Sequence, residues 1–104
     1  MAADGEKYRA AATARGVLDE LVTRLFQDRF PEWERQRKPD LANMIDQLRK
    51  GGAIPATIES GMHTVRVFGN VGAHRTMQLT RGDVEVGLLQ ALRIVEWFLR
   101  ERIV

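Results

Sequence analysis

The chain contains no cysteine. That excludes a disulfide framework and any thiolate-held zinc or iron–sulfur centre. Proline occurs only at positions 31, 39 and 55, so long stretches are free of the residue that most reliably breaks helices. No apolar run approaches the length needed to cross a bilayer. The residues "MAADGEKYRAAATARG" include acids and lack an apolar core, so no secretory leader is expected there and the cytoplasm is the expected compartment. Charge of one sign is scarce too. Sixteen basic and fourteen acidic residues leave a net +2, interspersed along the chain, whereas a phosphate-binding surface needs clustered positive charge.

What remains is a soluble-type composition over 104 residues, enough for one domain and too few for two ordinary ones. The expectation is a single helical domain over 1–104, with roughly residues 1–7 a flexible N-terminus. Ala11, Ala14, Leu18, Leu21, Val22, Leu25 and Phe26 recur at spacings of three and four, which predicts an amphipathic helix over about 5–29, with Asp4 as its cap. "FPEWERQRKPD" then interrupts the pattern. It gathers Arg35, Arg37 and Lys38 beside Trp33, near Arg29, and reads as a solvated loop with Trp33 folded back on the core. Leu41, Met44, Ile45 and Leu48 define a short helix over 40–50, capped by Asp40 and stopped at Gly51–Gly52. Pro55 suits the first turn of a third helix, 55–74.

A fourth helix, 81–102, is announced by Thr80 and Asp83 at capping-box spacing, with Leu79 and Val84 as a hydrophobic staple. Val84, Leu88, Leu92, Val95 and Leu99 form its main apolar stripe; Val86 and Trp97 lie off that stripe and suggest a second partner surface. No segment alternates as a strand. The expected fold is an all-α bundle of four helices, one short, with Leu18, Leu21, Leu25, Leu41, Ile45, Ile58, Met62, Val65, Leu88, Leu92 and Val95 buried.

The third helix carries the chemistry-bearing residues. At 100° per residue, Ile58, Met62, Val65, Gly69 and Gly72 share one side, the glycines permitting close helix approach. Glu59, His63, Arg66, Asn70 and His74 share another, within an arc of roughly 80°. Each has a structural use, in helical ion pairs or at the helix end. Arg66 and His74 also supply a cation and a proton carrier on one face, the groups a metal-independent ribonuclease needs. His63 and His74 stand roughly 16 Å apart along a helix axis, too far to share one ion, so no metal or other cofactor is expected.

"VRVFGNVGAHR" with "LTRGDVEVGLLQALRIVEWFLRERIV" resembles the domain-of-unknown-function family appended to type I restriction endonuclease subunits and other prokaryotic defence proteins. That family carries an Arg-x-x-Gly-Asn-x-x-Ala-His signature, matched by Arg66, Gly69, Asn70, Ala73 and His74, and the upstream "LANMIDQLRKGGAIP" is similar to its short helix and turn. The family is similar in turn to the HEPN helical bundles, many of them dimeric, metal-independent ribonucleases with an Arg-x(4–6)-His motif. Here Gly69 stands where an arginine should precede Asn70, and Arg66 lies further from His74 than that motif allows. The resemblance therefore implies a non-catalytic HEPN-like interaction or dimerisation module, with a homodimer, a protein partner or a fused effector domain as its context. Val86, Trp97, Arg66, Asn70 and His74 are the expected interaction residues. The alternative is a ribonuclease using Arg66, Asn70 and His74, and only then is RNA a partner.

Overall fold

The computed structural model describes residues 2–33, 39–74 and 78–102, the side chains of residues 2–4 and 73–74 excepted. Four helices follow in order: α1 (Ala2–Arg29), α2 (Leu41–Lys50), α3 (Ala56–His74) and α4 (Arg81–Arg100). No strand occurs among the described residues. α1 opens ahead of the expected start, which places Asp4 inside its first turn and not at its cap, and brings residues 2–7 of the expected lead-in into the helix. The alanines, Glu6 and Lys7 there are good helix formers.

The other boundaries have local causes. Asp40 adopts extended backbone and its Oδ1 accepts from the Asn43 N–H at 2.8 Å, which satisfies one of the free donors at the start of α2. The same helix ends in a Schellman arrangement. Ala53 N–H reaches back to Leu48 C=O at 2.9 Å while Gly52 takes φ +76°, a conformation glycine enters without a Cβ penalty. Pro55 sits just before α3 and its carbonyl accepts from both Ile58 and Glu59. At α4 the capping box forms in both directions: Asp83 N–H donates to Thr80 Oγ1 at 3.1 Å, and Thr80 N–H donates to Asp83 Oδ2 at 3.0 Å. Leu79 is buried beside it and Val84 packs against the core.

α1 and α3 form the spine. Each touches all three other helices, while α2 and α4 lie on separate flanks and do not meet. The spine depends on Gly69 and Gly72, as their position on the apolar side of the third helix predicts. A Cβ at Gly72 would stand 2.5 Å from Ala11 Cβ and 2.8 Å from the Tyr8 carbonyl oxygen; one at Gly69 would overlap Arg15 Cβ. Only hydrogen in those places lets the two helices lie this close. Around the contact, Ala11, Leu18, Val22 and Leu25 of α1 meet Met62, Val65 and Phe68 of α3 in one apolar core with Met44, Ile45 and Leu48 of α2. Leu21 and Ile58, expected inside, are half-buried at its margin.

α4 corrects the reading of its own face. Its helical period is as expected, but the buried side is Gly87, Ile94, Trp97 and Phe98, joined by Val84 and Ala91. Leu88 and Leu92, expected in the core, are 43% and 54% exposed; Leu99 is 60% exposed and Val95 half-buried. Trp97, expected off the main stripe, is buried edge-on against Phe98 with ring centroids 5.2 Å apart. The reason is Gly87. A side chain there would run into the Phe68 ring, so α4 settles onto α3 on the side that carries Gly87, Ile94 and Phe98 and turns its leucines outward.

Replacing Gly72 or Gly69 with alanine is expected to cost about 1–3 kcal/mol through overpacking, despite alanine's better helix propensity. Gly16→Ala, on α1 with nothing within 4 Å, is expected to stabilise by roughly 0.5–1 kcal/mol. Urea unfolding of the three variants separates these signs.

The capping box also sets a pH dependence. Hydrogen bonds from Thr80, its backbone N–H first and its hydroxyl second, hold the Asp83 carboxyl below its ordinary value. A depressed folded-state pKa adds stability above the unfolded-state value, lost as pH falls through the folded one. Asp83→Ala is therefore expected to be less stable than the parent near pH 7, with the gap closing below about pH 4. Denaturation curves at pH 7 and pH 3 measure it.

Candidate functional site

The polar stripe of α3 lies along α2. Arg66 Nε donates to His63 Nδ1 at 3.2 Å, one turn back on the same helix. The other ring nitrogen of His63, Nε2, faces Asp46 Oδ1 of α2 at 3.4 Å. One turn further back, Glu59 stands 3.9 Å from Arg49 Nε, also of α2. Asp46 and Arg49 are spaced to share one edge of that helix. The four side chains, between 29% and 50% exposed, make a half-solvated clasp closing α2 onto α3. The α3 members are legible in the sequence; Asp46 and Arg49 are not. Their signal was the position of both next to buried residues of α2, Ile45 and Leu48, on the side where a neighbour must lie.

Asn70 is half-buried one turn beyond Arg66 and has no described bond to it. His74 closes α3, and its side chain lies outside the described residues. Of the three residues a ribonuclease would use, Arg66 thus has its Nε directed at His63. An imidazole that accepts at Nδ1 carries its proton on Nε2 when neutral, and here that proton points at Asp46. His63 is arranged as a linker between a carboxylate and a guanidinium.

Asp46, Glu59 and His63 also bring potential ligand atoms within 4.8 Å of one another. The pairing with Arg66 puts the imidazole in the wrong tautomer for ligation through Nε2, and Arg49 and Arg66 add two positive charges beside any incoming cation. The donor set is better matched to the arginines it already faces.

Two further expectations concern surfaces elsewhere on the molecule. Trp33 does fold back, meeting Phe26 edge-on at 5.4 Å, and remains 45% exposed. Arg35, Arg37 and Lys38, the basic residues expected beside it, lie outside the described residues. Of the two residues expected on a second side of α4, Val86 is exposed and Trp97 is inside. The apolar surface lies elsewhere on that helix. Between α1 and α4 runs an open groove of 490 Å³, walled by Ala10, Thr13, Ala14 and Val17 on one side and Leu88, Ala91, Leu92 and Val95 on the other. Glu6 and Arg9 stand at its α1 end.

A family model described as Domain of unknown function (DUF4145) matches residues 2–101. No curated protein and no solved structure matches the chain.

If the α2–α3 clasp is an ordinary half-exposed ion-pair system, a double-mutant cycle on Asp46 and His63 should give a coupling of about 0.2–1 kcal/mol near neutral pH. Thermal or urea unfolding of Asp46→Ala, His63→Ala and the double variant measures it. A coupling of several kcal/mol would mean that the clasp organises much more than one helix pair.

Proposed function

The chain belongs to the DUF4145 family, and we propose that it acts as a non-catalytic protein-interaction module that docks through the α1–α4 groove. The observation that carries this reading is the outward face of α4. Leu88, Leu92 and Leu99 are 43–60% exposed, and Val17 of α1 adjoins the groove at 43%. Scattered apolar side chains are normal on a surface, but Val17, Leu88 and Leu92 converging on one groove mark an interaction site. A flat, two-helix apolar trough suits a helix of another protein surface better than a small polar substrate.

The α3 stripe supports the same reading from the other side. Arg66 and His63 are bonded to each other and, through Asp46, to α2. Their arrangement orders a helix pair. The finer assignment is a HEPN-like module serving a prokaryotic defence system, and it rests on the signature formed by Arg66, Gly69, Asn70, Ala73 and His74. In this reading the signature glycine earns its place by packing, since Gly69 is where α1 crosses.

The competing activity is metal-independent RNA cleavage by Arg66, Asn70 and His74. Purified protein incubated with single-stranded RNA in chelator should leave it intact, as should a His74→Ala variant prepared identically. Cleavage by the parent that disappears in a folded His74→Ala variant would overturn the non-catalytic reading.

A further inference from the structure

A second cavity lies on another side of α4 from the groove, between that helix and the first turns of α3. Its volume of 240 Å³ is below the roughly 300–1,000 Å³ of sites for cofactors and drug-sized molecules, so it suits a small ligand. Ile58 and Ile94 supply its apolar surface, while Gln90, Arg93 and Arg100 of α4 line it with Thr57 of α3. Arg93 and Arg100 stand two turns apart on one face of α4, with Glu96 between them.

These polar side chains are not taken up by one another. Glu96 precedes Arg100 by four residues, the spacing and order at which helical ion pairs close best. Glu20 and Arg24 close in that order at 2.8 Å, and Arg81 and Glu85 close in the reverse order at 3.2 Å. Gln90, Arg93, Glu96 and Arg100 make no side-chain hydrogen bond or ion pair with any described residue. Gly61 keeps the cleft open in front of them. Unlike Gly69 and Gly72, it is not crossed by α1: a Cβ there would meet the tip of the Gln90 side chain at 3.0 Å and Ile94 only at 3.9 Å. Its missing side chain leaves space before a movable amide, where the other two glycines leave space for a helix.

We propose that this cleft binds a short aliphatic dicarboxylate, a site independent of the apolar groove. Each guanidinium takes one carboxylate through paired N–H donors. The methylene chain between the carboxylates covers Ile58 and Ile94, and the Gln90 amide and Thr57 hydroxyl donate to the remaining lone pairs. Glu96 limits the charge the cleft accepts. Two guanidiniums and one carboxylate favour a ligand whose negative groups are held apart, each near an arginine and away from the glutamate. A lone phosphate concentrates its charge in one place and leaves both isoleucines uncovered.

Glutarate is the probe, titrated at constant ionic strength so that screening does not change with ligand. Calorimetry is expected to show one saturable site with a Kd of about 1 mM, reasonable for so small a ligand. Arg93→Gln and Arg100→Gln should each weaken binding about 10-fold, as loss of a charge-assisted hydrogen bond does. Glu96→Gln should tighten it. Arg81→Gln, on the same helix but outside the cleft, should leave it unchanged. Gly61→Ala gives a readout that packing alone would not: it should unfold at the parent's temperature or above, since alanine favours the helix, and still bind glutarate more weakly. Absence of saturation by roughly 50 mM glutarate overturns the site. So does binding that neither arginine variant weakens. Saturation by inorganic phosphate at a lower concentration than by glutarate overturns the dicarboxylate as its ligand.

Discussion

The closeness of α1 and α3 is the constraint on which the rest of the structure depends. Two glycines one turn apart on α3 remove the side chains that would otherwise hold α1 off, and the Ala11 side chain and Tyr8 carbonyl occupy the vacated space. Glycine inside a helix costs roughly 0.5–1 kcal/mol relative to alanine, so the contact must return more than that through dispersion between two nearly touching backbones. Once that spacing is fixed, the positions of the flanking helices follow. Met62 and Val65 are buried between the spine and its neighbours, and Phe68 is aimed at α4, where Gly87 receives it.

The elements announced by backbone chemistry were legible in the sequence. Asp40, Gly52 and the Thr80–Asp83 box act locally, each satisfying donors or acceptors within a few residues, and a local rule can be read from a local string. Gly69 and Gly72 were legible for a similar reason, since their place among apolar residues fixed the side they occupy. The orientation of α4 was not. Hydrophobicity ranks Leu88, Leu92 and Leu99 above Gly87, but the Phe68 ring leaves no room for a side chain at position 87, and the face that carries Gly87 with Ile94, Trp97 and Phe98 turns inward. A tertiary shape requirement on another helix decided it, and no periodicity within α4 contains that information. The same limit applied to the polar stripe. Its members could be aligned on α3, but their partners Asp46 and Arg49 become evident only once α2 is laid alongside.

The α2–α3 clasp shows how chemistry-bearing residues can be held without being deployed. A histidine with a carboxylate on one nitrogen and an arginine on the other resembles the core of a proton-transfer site. What differs is that the donor at Nδ1 is a guanidinium, which stays charged and protonated across the accessible pH range. It can orient the ring but cannot exchange a proton with it. Burial is also incomplete, so water softens the local field around the pair. The result is orientation of one helix relative to another, with the polar atoms facing solvent at the margin and the methionine and leucines beneath.

The lack of contact between α2 and α4 has a consequence for how such a chain can change over generations. In a closed ring of helices, a substitution on one flank presses on the next and restricts what that neighbour can become. Here each flank answers only to the spine. The acidic and basic residues along α2 and the leucines along α4 occupy separate neighbourhoods, so a lineage can rewrite one set while leaving the other untouched, provided the two glycines between α1 and α3 are kept.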